Sequence, residues 1–227
     1  MTIVLERSKQ GDKVIEITTR EIVVDEKERR ELIRIYCSAF DALAESSPVR
    51  QSYDKDELIH VLLDSEIDKT IAYHRGKIMG FSMISGNLDK VPWANKEYYK
   101  KKFPKYYERG AIYYVKGISV DPKIQNKRFG AIGQKAFSEI LKNTESDRYP
   151  DDSVFCFDCS MSVNGWMSGF VDKTLNKLKP FAGDPEVALD YQGYFAYVKS
   201  ENKMPEYNQG VRVGKPQLRM EGIENVQ

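Results

Sequence analysis

The chain is poor in the residues that build covalent or metal frameworks. It has three cysteines and two histidines among 227 residues. An odd, low cysteine count excludes a disulfide scaffold, and His60 and His74, each isolated, give no metal-ligand spacing. Cys156 and Cys159 form a nominal C-x-x-C pair, but the surrounding Val154-Phe-Cys-Phe-Asp-Cys-Ser160 reads as a strand. Residues three apart in a strand face opposite sides and cannot share an ion, so these are structural thiols. Net charge is also lacking. With 35 basic against 34 acidic residues, the overall field imposes neither a nucleic-acid nor a membrane partner. No apolar run reaches membrane-spanning length, and the stretch before Lys9 is too short and charged for a signal peptide. The expectation is a soluble, cytoplasmic protein without metal or membrane contact.

What the chain does have is enough apolar residue, 41%, for one large core. Residues 13–24 are β-branched and partly alternating, a first strand. Asp25 and Glu28 form a capping pair, after which Leu32, Ile33, Tyr36, Cys37, Phe40 and Leu43 recur at helical spacing. A second helix is expected over 54–66, with Leu58, Ile59, Leu62 and Leu63 inward. Two strands follow around an Arg75-Gly76 turn. A further strand spans 111–120, and the next helix carries a stripe of Phe129, Ile132, Ala136, Phe137, Ile140 and Leu141. Residues 153–160 read as a strand, the apolar residues from Trp166 to Leu178 as a helix, and 194–198 as a last strand. Residues 200–227 form a polar C-terminal arm or tail. The order is β-α-α-β-β-β-α-β-α-β, a mixed α/β fold with a central sheet flanked by helices.

The sharpest feature is the segment from Ile118 to Leu141. An apolar strand ends at Val120, a short loop rich in Gln, Lys, Arg and Gly follows, and an amphipathic helix begins. The unpaired N–H groups of a helix start, together with its positive dipole end, attract phosphate. A phosphate-bearing ligand is therefore expected between residues 125 and 131.

That element order, with Val120-Asp-Pro-Lys-Ile-Gln125-Asn-Lys-Arg128-Phe-Gly130-Ala131, resembles the GNAT acetyltransferase superfamily over residues 13–199. The family loop reads Gln or Arg, two residues, Gly, one residue, then Gly or Ala. Gln125 and Gly130 match, whereas Arg128 stands where the first Gly is usual. Arg128 exchanges a close backbone approach for a guanidinium that can grip phosphate. The resemblance implies a single GNAT-like domain over 1–199 with an insertion at 88–110, and acetyl-CoA as co-substrate without a metal. It implies a pyrophosphate on Lys127, Arg128, Phe129, Gly130 and Ala131, and a pantetheine arm along the strand through Ile118 and Val120. Asn164 matches in type the family asparagine that contacts that arm. It is equally well placed as a plain N-cap.

An N-acetyltransferase needs a base for the amine, and groups for the oxyanion and the thiolate. The strand 111–120 holds no carboxylate. Its parity places Tyr114 and Lys116 on the face of Ile118 and Val120, with Tyr114 a candidate proton relay and Lys116 a candidate anion holder. Asp158, on the face of Cys156 and Ser160, is the candidate base or else half of a structural ion pair. The family's thiolate-serving tyrosine has no counterpart beside Phe170 and Val171, so that role is unassigned.

The acceptor amine has no sequence signature. The insertion segment 96–109 holds six basic and two acidic residues, four tyrosines and one phenylalanine. It reads as a lid over an acceptor, as a nucleic-acid contact modifying a base amine, or as a surface helix whose tyrosines cover the core. A protein that keeps the fold without the chemistry is a further alternative, and the edge at 194–198 suits a homodimer. The loop assignment predicts that Gly130→Trp abolishes acetyl-CoA binding by titration calorimetry while the chain stays folded. Unchanged affinity in that variant would remove the loop from the site.

Overall fold

The computed structural model describes residues 15–46, 52–124, 130–143, 147–160 and 192–199. Six strands form one sheet in sequence order: β1 (Glu16–Arg20), β2 (Ile67–His74), β3 (Lys77–Ser85), β4 (Ile112–Val120), β5 (Ser153–Ser160) and β6 (Gln192–Lys199). All neighbours pair antiparallel except β4 and β5, which run parallel. Helices α1 (Glu26–Ser46) and α2 (Lys55–Leu63) lie between β1 and β2, and α5 (Gly130–Lys142) follows β4. Two short helices, α3 (Lys96–Lys102) and α4 (Pro104–Glu108), occupy the insertion before β4. The expected helix between β5 and β6 and the arm at 200–227 lie outside the described residues. No helix among the described residues is long and apolar enough to cross a membrane.

Local signals start the helices. The Asp25 carboxylate accepts from the Glu28 N–H at 2.6 Å, as the capping pair required. Asp54 caps α2 in a full capping box with Glu57, at 2.8 and 2.9 Å. The β2–β3 hairpin turns through Arg75 and Gly76, with φ of 51° and 72°. Two consecutive left-handed residues match the right-handed twist of the flanking strands. In α2 the inward residues are Leu58, Val61 and Leu62, not Leu63, which is exposed. The helix begins at Lys55, and its buried stripe follows the contact with α1 and the sheet rather than the run of leucines.

Both faces of the sheet are covered. On one, Leu32, Ile35 and Tyr36 of α1 and Leu58 and Leu62 of α2 pack on Ile71, Phe81 and Met83. On the other, Ala136, Phe137, Ile140 and Leu141 of α5 meet Ala72, Met79, Ile84 and Val120. Each Val, Leu, Ile, Phe or Met among them, fully buried, contributes about 1.5–3 kcal/mol. In the insertion, Tyr99, Phe103 and Tyr106 are buried on Ile112, Tyr114 and Val154, while Lys100, Lys101 and Lys105 stay exposed. Tyr99 and Tyr106 therefore cover the core, whereas Tyr98 is exposed.

One irregularity decides the geometry of β4. Met83 pairs with Gly117 but Ile84 with Val115, so Lys116 has no partner in β3 and forms a bulge. The extra residue reverses the alternation beyond it. Tyr114 and Lys116 share the α1–α2 face, whereas Ile118 and Val120 pack toward α5. The uninterrupted parity expected for 114–120 is corrected here: a bulge inserts one residue and flips every later side chain.

The β3–β4 contact that frames this bulge has no room to spare. A Cβ on Gly80 would lie 2.4 Å from the Ser119 carbonyl oxygen and 3.0 Å from the Val120 Cα. Gly80→Ala must push two backbones apart. It is expected to cost about 2 kcal/mol or more in urea unfolding.

Candidate functional site

The parallel pairing of β4 and β5 is short. Only Ile112–Val154, Tyr113–Phe155 and Tyr114–Cys156 are in register. Beyond them β4 stays with β3 as far as Val120, and β5 stays with β6 as far as Ser160. The two central strands thus part at Tyr114 and Cys156, each keeping its outer partner. The bulge at Lys116 lies beside the vertex. Past it, the inner edge of β4 has no β5 partner among the described residues, which leaves its backbone groups free for an extended ligand. The sheet order and its flanking helices are those the sequence resemblance to the GNAT superfamily implies.

No family model matches the chain. No curated protein matches it either. Solved structures do. An N-acyl amino acid synthase from uncultured soil microbes aligns at 13% identity and TM-score 0.46, over 83% of this chain and 92% of that one. The ribosomal-protein-S18-alanine N-acetyltransferase from Escherichia coli aligns at 10% and 0.46, over 86% and 98%. An acyl-CoA N-acyltransferase from Pseudomonas aeruginosa aligns at 11% and 0.45, over 81% and 99%. TM-scores below 0.5 leave the chemistry to the chain's own residues.

At the vertex of the sheet, the Tyr114 hydroxyl donates to the Asp158 carboxylate. The two candidate catalytic residues, 44 apart in sequence, are therefore in direct contact. Asp158 lies two residues past Cys156 on the same face, so the bond runs diagonally across the opening between the strands. Among the described residues the partner of this carboxylate is a phenol. Asp158 keeps some exposed surface, yet the surrounding protein is dense enough that burial raises its carboxyl above the ordinary range. The Tyr114 hydroxyl and the Trp93 indole N–H pull the other way. Burial and the Asp158 charge push the Tyr114 phenol far up, so it remains a proton donor.

Aromatic rings wall this pair. Tyr99 meets Tyr114 edge-on at 6.1 Å, Tyr53 and Trp93 have ring centroids 5.2 Å apart, and Tyr36 stacks on Phe40 at 4.5 Å. Burial raises Tyr36, Tyr53 and Tyr99, and the Asp158 charge adds to each. The wall comes from α1, the segment before α2, the insertion and β4. Its convergence has no local sequence signal, and only the clustering of aromatics within 96–109 hinted at part of it.

Lys116 is buried, with its ammonium donating to the Lys90 carbonyl and lying 5.2 Å from the Tyr53 ring centroid. Burial lowers its pKa to about 8. It remains the candidate anion holder, now on the α1–α2 side.

Of the implied cofactor-binding residues, Ile118 and Val120 line the freed edge of β4, so only their backbone faces the opening. Gly130 and Ala131 open α5. Gln125, Lys127, Arg128, Phe129 and Asn164 lie outside the described residues, as do Phe170 and Val171. A contact the sequence did not suggest anchors the approach to the loop. Arg34 of α1 forms an ion pair with Asp121, whose carboxylate also caps the turn by accepting from the Lys123 N–H at 3.0 Å. Arg34 holds the Asp121 carboxyl below its ordinary pKa against the effect of burial.

The buried lysines give the site a measurable signature. Lys69 and Lys116 both fall from 10.5 to about 8 through burial. Below pH 8 both states are charged and the full penalty stands. Above it the unfolded chain binds more protons, so stability rises with pH. From pH 8 to about 9.5, before unfolded tyrosines ionise, wild-type stability should climb, and Lys116→Met should about halve the slope in urea titrations.

Proposed function

We propose that the chain transfers an acyl group, acetyl in the simplest case, from acyl-CoA to a primary amine by direct attack. The observation that carries this is the parting of β4 from β5 with Tyr114 and Asp158 joined at the vertex. The opening suits an extended thioester arm pairing with β4, and the vertex holds an acid–base pair where the arm would end.

An acceptor ammonium must lose a proton before it attacks. Asp158, raised by burial, is a better proton acceptor near neutral pH than an ordinary carboxylate. Tyr114 holds the carboxylate in place and keeps its own proton. The amine lone pair then forms an N–C bond to the thioester carbonyl, and the C–S bond breaks. The products are an amide, CoA thiol and one proton released overall. Backbone N–H groups on the open edge of β4 would face the developing oxyanion. The loop from Gln125 to Ala131 would hold the pyrophosphate. Lys127 and Arg128 would supply charge, and Asn164 would contact the pantetheine arm. The thiolate leaves without an assigned acid, which a coenzyme A thiolate tolerates near neutral pH.

Titration calorimetry with acetyl-CoA, against ATP, tests donor binding, and thiol release with an amine panel tests the chemistry. Asp158→Asn should bind acetyl-CoA as the parent does but lose roughly 10²–10³ in kcat/KM. Tyr114→Phe removes a donor that favours the ionised carboxylate. Its acidic limb in the kcat/KM profile should therefore move to higher pH. Full activity in Asp158→Asn would eliminate it as the base. Acetyl-CoA binding without turnover on any acceptor would leave a binding protein.

A further inference from the structure

We propose that Arg34 is a positioning residue for the nucleotide end of the acyl donor. Through Asp121 it fixes the turn that joins β4 to the start of α5. This deepens the acyl-transfer reading and rests on it.

Every polar group of Asp121 is in use. Its backbone N–H donates to the Met79 carbonyl on β3, and its own carbonyl accepts from the Ile124 N–H, both at 2.9 Å. Its carboxylate accepts from the Lys123 N–H at 3.0 Å and from both terminal nitrogens of Arg34. Arg34 is itself held from behind, because its Nε and Nη2 donate to the Glu31 carboxylate at 2.9 and 2.7 Å. Asp121 is only 6% exposed, so its charge needs the guanidinium. The helix does not depend on this pair for its own seat, which buried Leu32, Ile35 and Tyr36 provide.

The pair crosses the end of the sheet. Arg34 stands on the helix that covers one face, whereas the turn it grips leads to the helix on the other. At the exit of the turn, Ile124 packs against the clusters that hold Phe137 and Ile140 of α5. An ion pair thus pins the entry of the turn and an apolar contact pins its exit. The same turn carries the chain from the open edge of β4 toward the first N–H groups of α5. A donor whose arm lies on β4 and whose phosphates reach Gly130 needs these two supports at a fixed separation. The reacting pair is remote from this control, since about 20 Å of strand separates Tyr114 from Val120. Arg34 therefore sets how tightly the nucleotide is held and leaves the transfer step alone.

Two donors separate the ends. S-acetylpantetheine carries the arm and the thioester but no nucleotide. In titration calorimetry the parent should bind acetyl-CoA roughly tenfold or more tightly than S-acetylpantetheine. Arg34→Gln and Asp121→Asn should each weaken acetyl-CoA roughly tenfold and leave S-acetylpantetheine unchanged. Asp121→Asn keeps the oxygen that accepts from the Lys123 N–H, so it removes the charge and not the turn. The double variant should bind no more weakly than either single one, because both remove the same contact. A merely structural role would weaken both donors alike. Equal weakening of the two donors, unchanged acetyl-CoA affinity in both variants, or a parent that binds both donors equally overturns the proposal. Should Arg34→Gln fail to fold, Asp121→Asn makes the same comparison alone. A parent that binds neither donor removes the acyl-CoA reading itself, and this inference with it.

Discussion

Everything at the site depends on β4 leaving β5 after three residue pairs. Parallel strands normally continue to pair, because each unpaired rung leaves backbone groups in need of partners. Here each strand retains a full outer ladder, β4 with β3 and β5 with β6, so opening the middle sacrifices only the inner rungs. The bulge at Lys116 helps to make this geometrically possible. It bends β4 where the separation begins and turns two successive positions, Lys116 and Gly117, toward α1. A Cβ at Gly117 would meet Phe40 and Tyr36 at 3.7 Å, so this face of the strand is already in contact with the aromatic wall.

The same opening explains the electrostatics. A carboxylate at the end of an interrupted ladder is buried by its surroundings but retains a route to solvent. That combination raises its proton affinity without removing it from exchange. Phenols are the economical neighbours for such an acid. They donate hydrogen bonds without bringing a full positive charge that would lock the carboxylate in its ionised form. Tyr114, Tyr53, Tyr36 and Tyr99 all have raised pKa values, so they stay neutral wherever Asp158 titrates.

The parts of this architecture that follow from short-range rules were legible in the chain. The Asp25 cap, the Arg75-Gly76 turn and the order of the six strands needed only neighbouring residues. Asp158 stood out because an acid in an apolar strand demands an explanation. The bulge at Lys116 was not legible, since it exists only in the register of β4 against β3, and it inverted the side expected for Ile118 and Val120 relative to Tyr114. Nor was the approach of Tyr53 and Trp93 to Asp158, which joins three segments far apart in sequence. The burial of Val61 in place of Leu63 arose likewise from how α2 seats on α1, not from the leucine pattern.

Helix α1 links the two ends of the opening. Tyr36 and Phe40 are part of the aromatic wall, and Arg34, one half-turn from Tyr36, clamps the Asp121 turn that leads to the loop before α5. A single helix is thus packed at once against the aromatic wall and the Asp121 turn, so a substitution that shifts it disturbs both ends of the opening together.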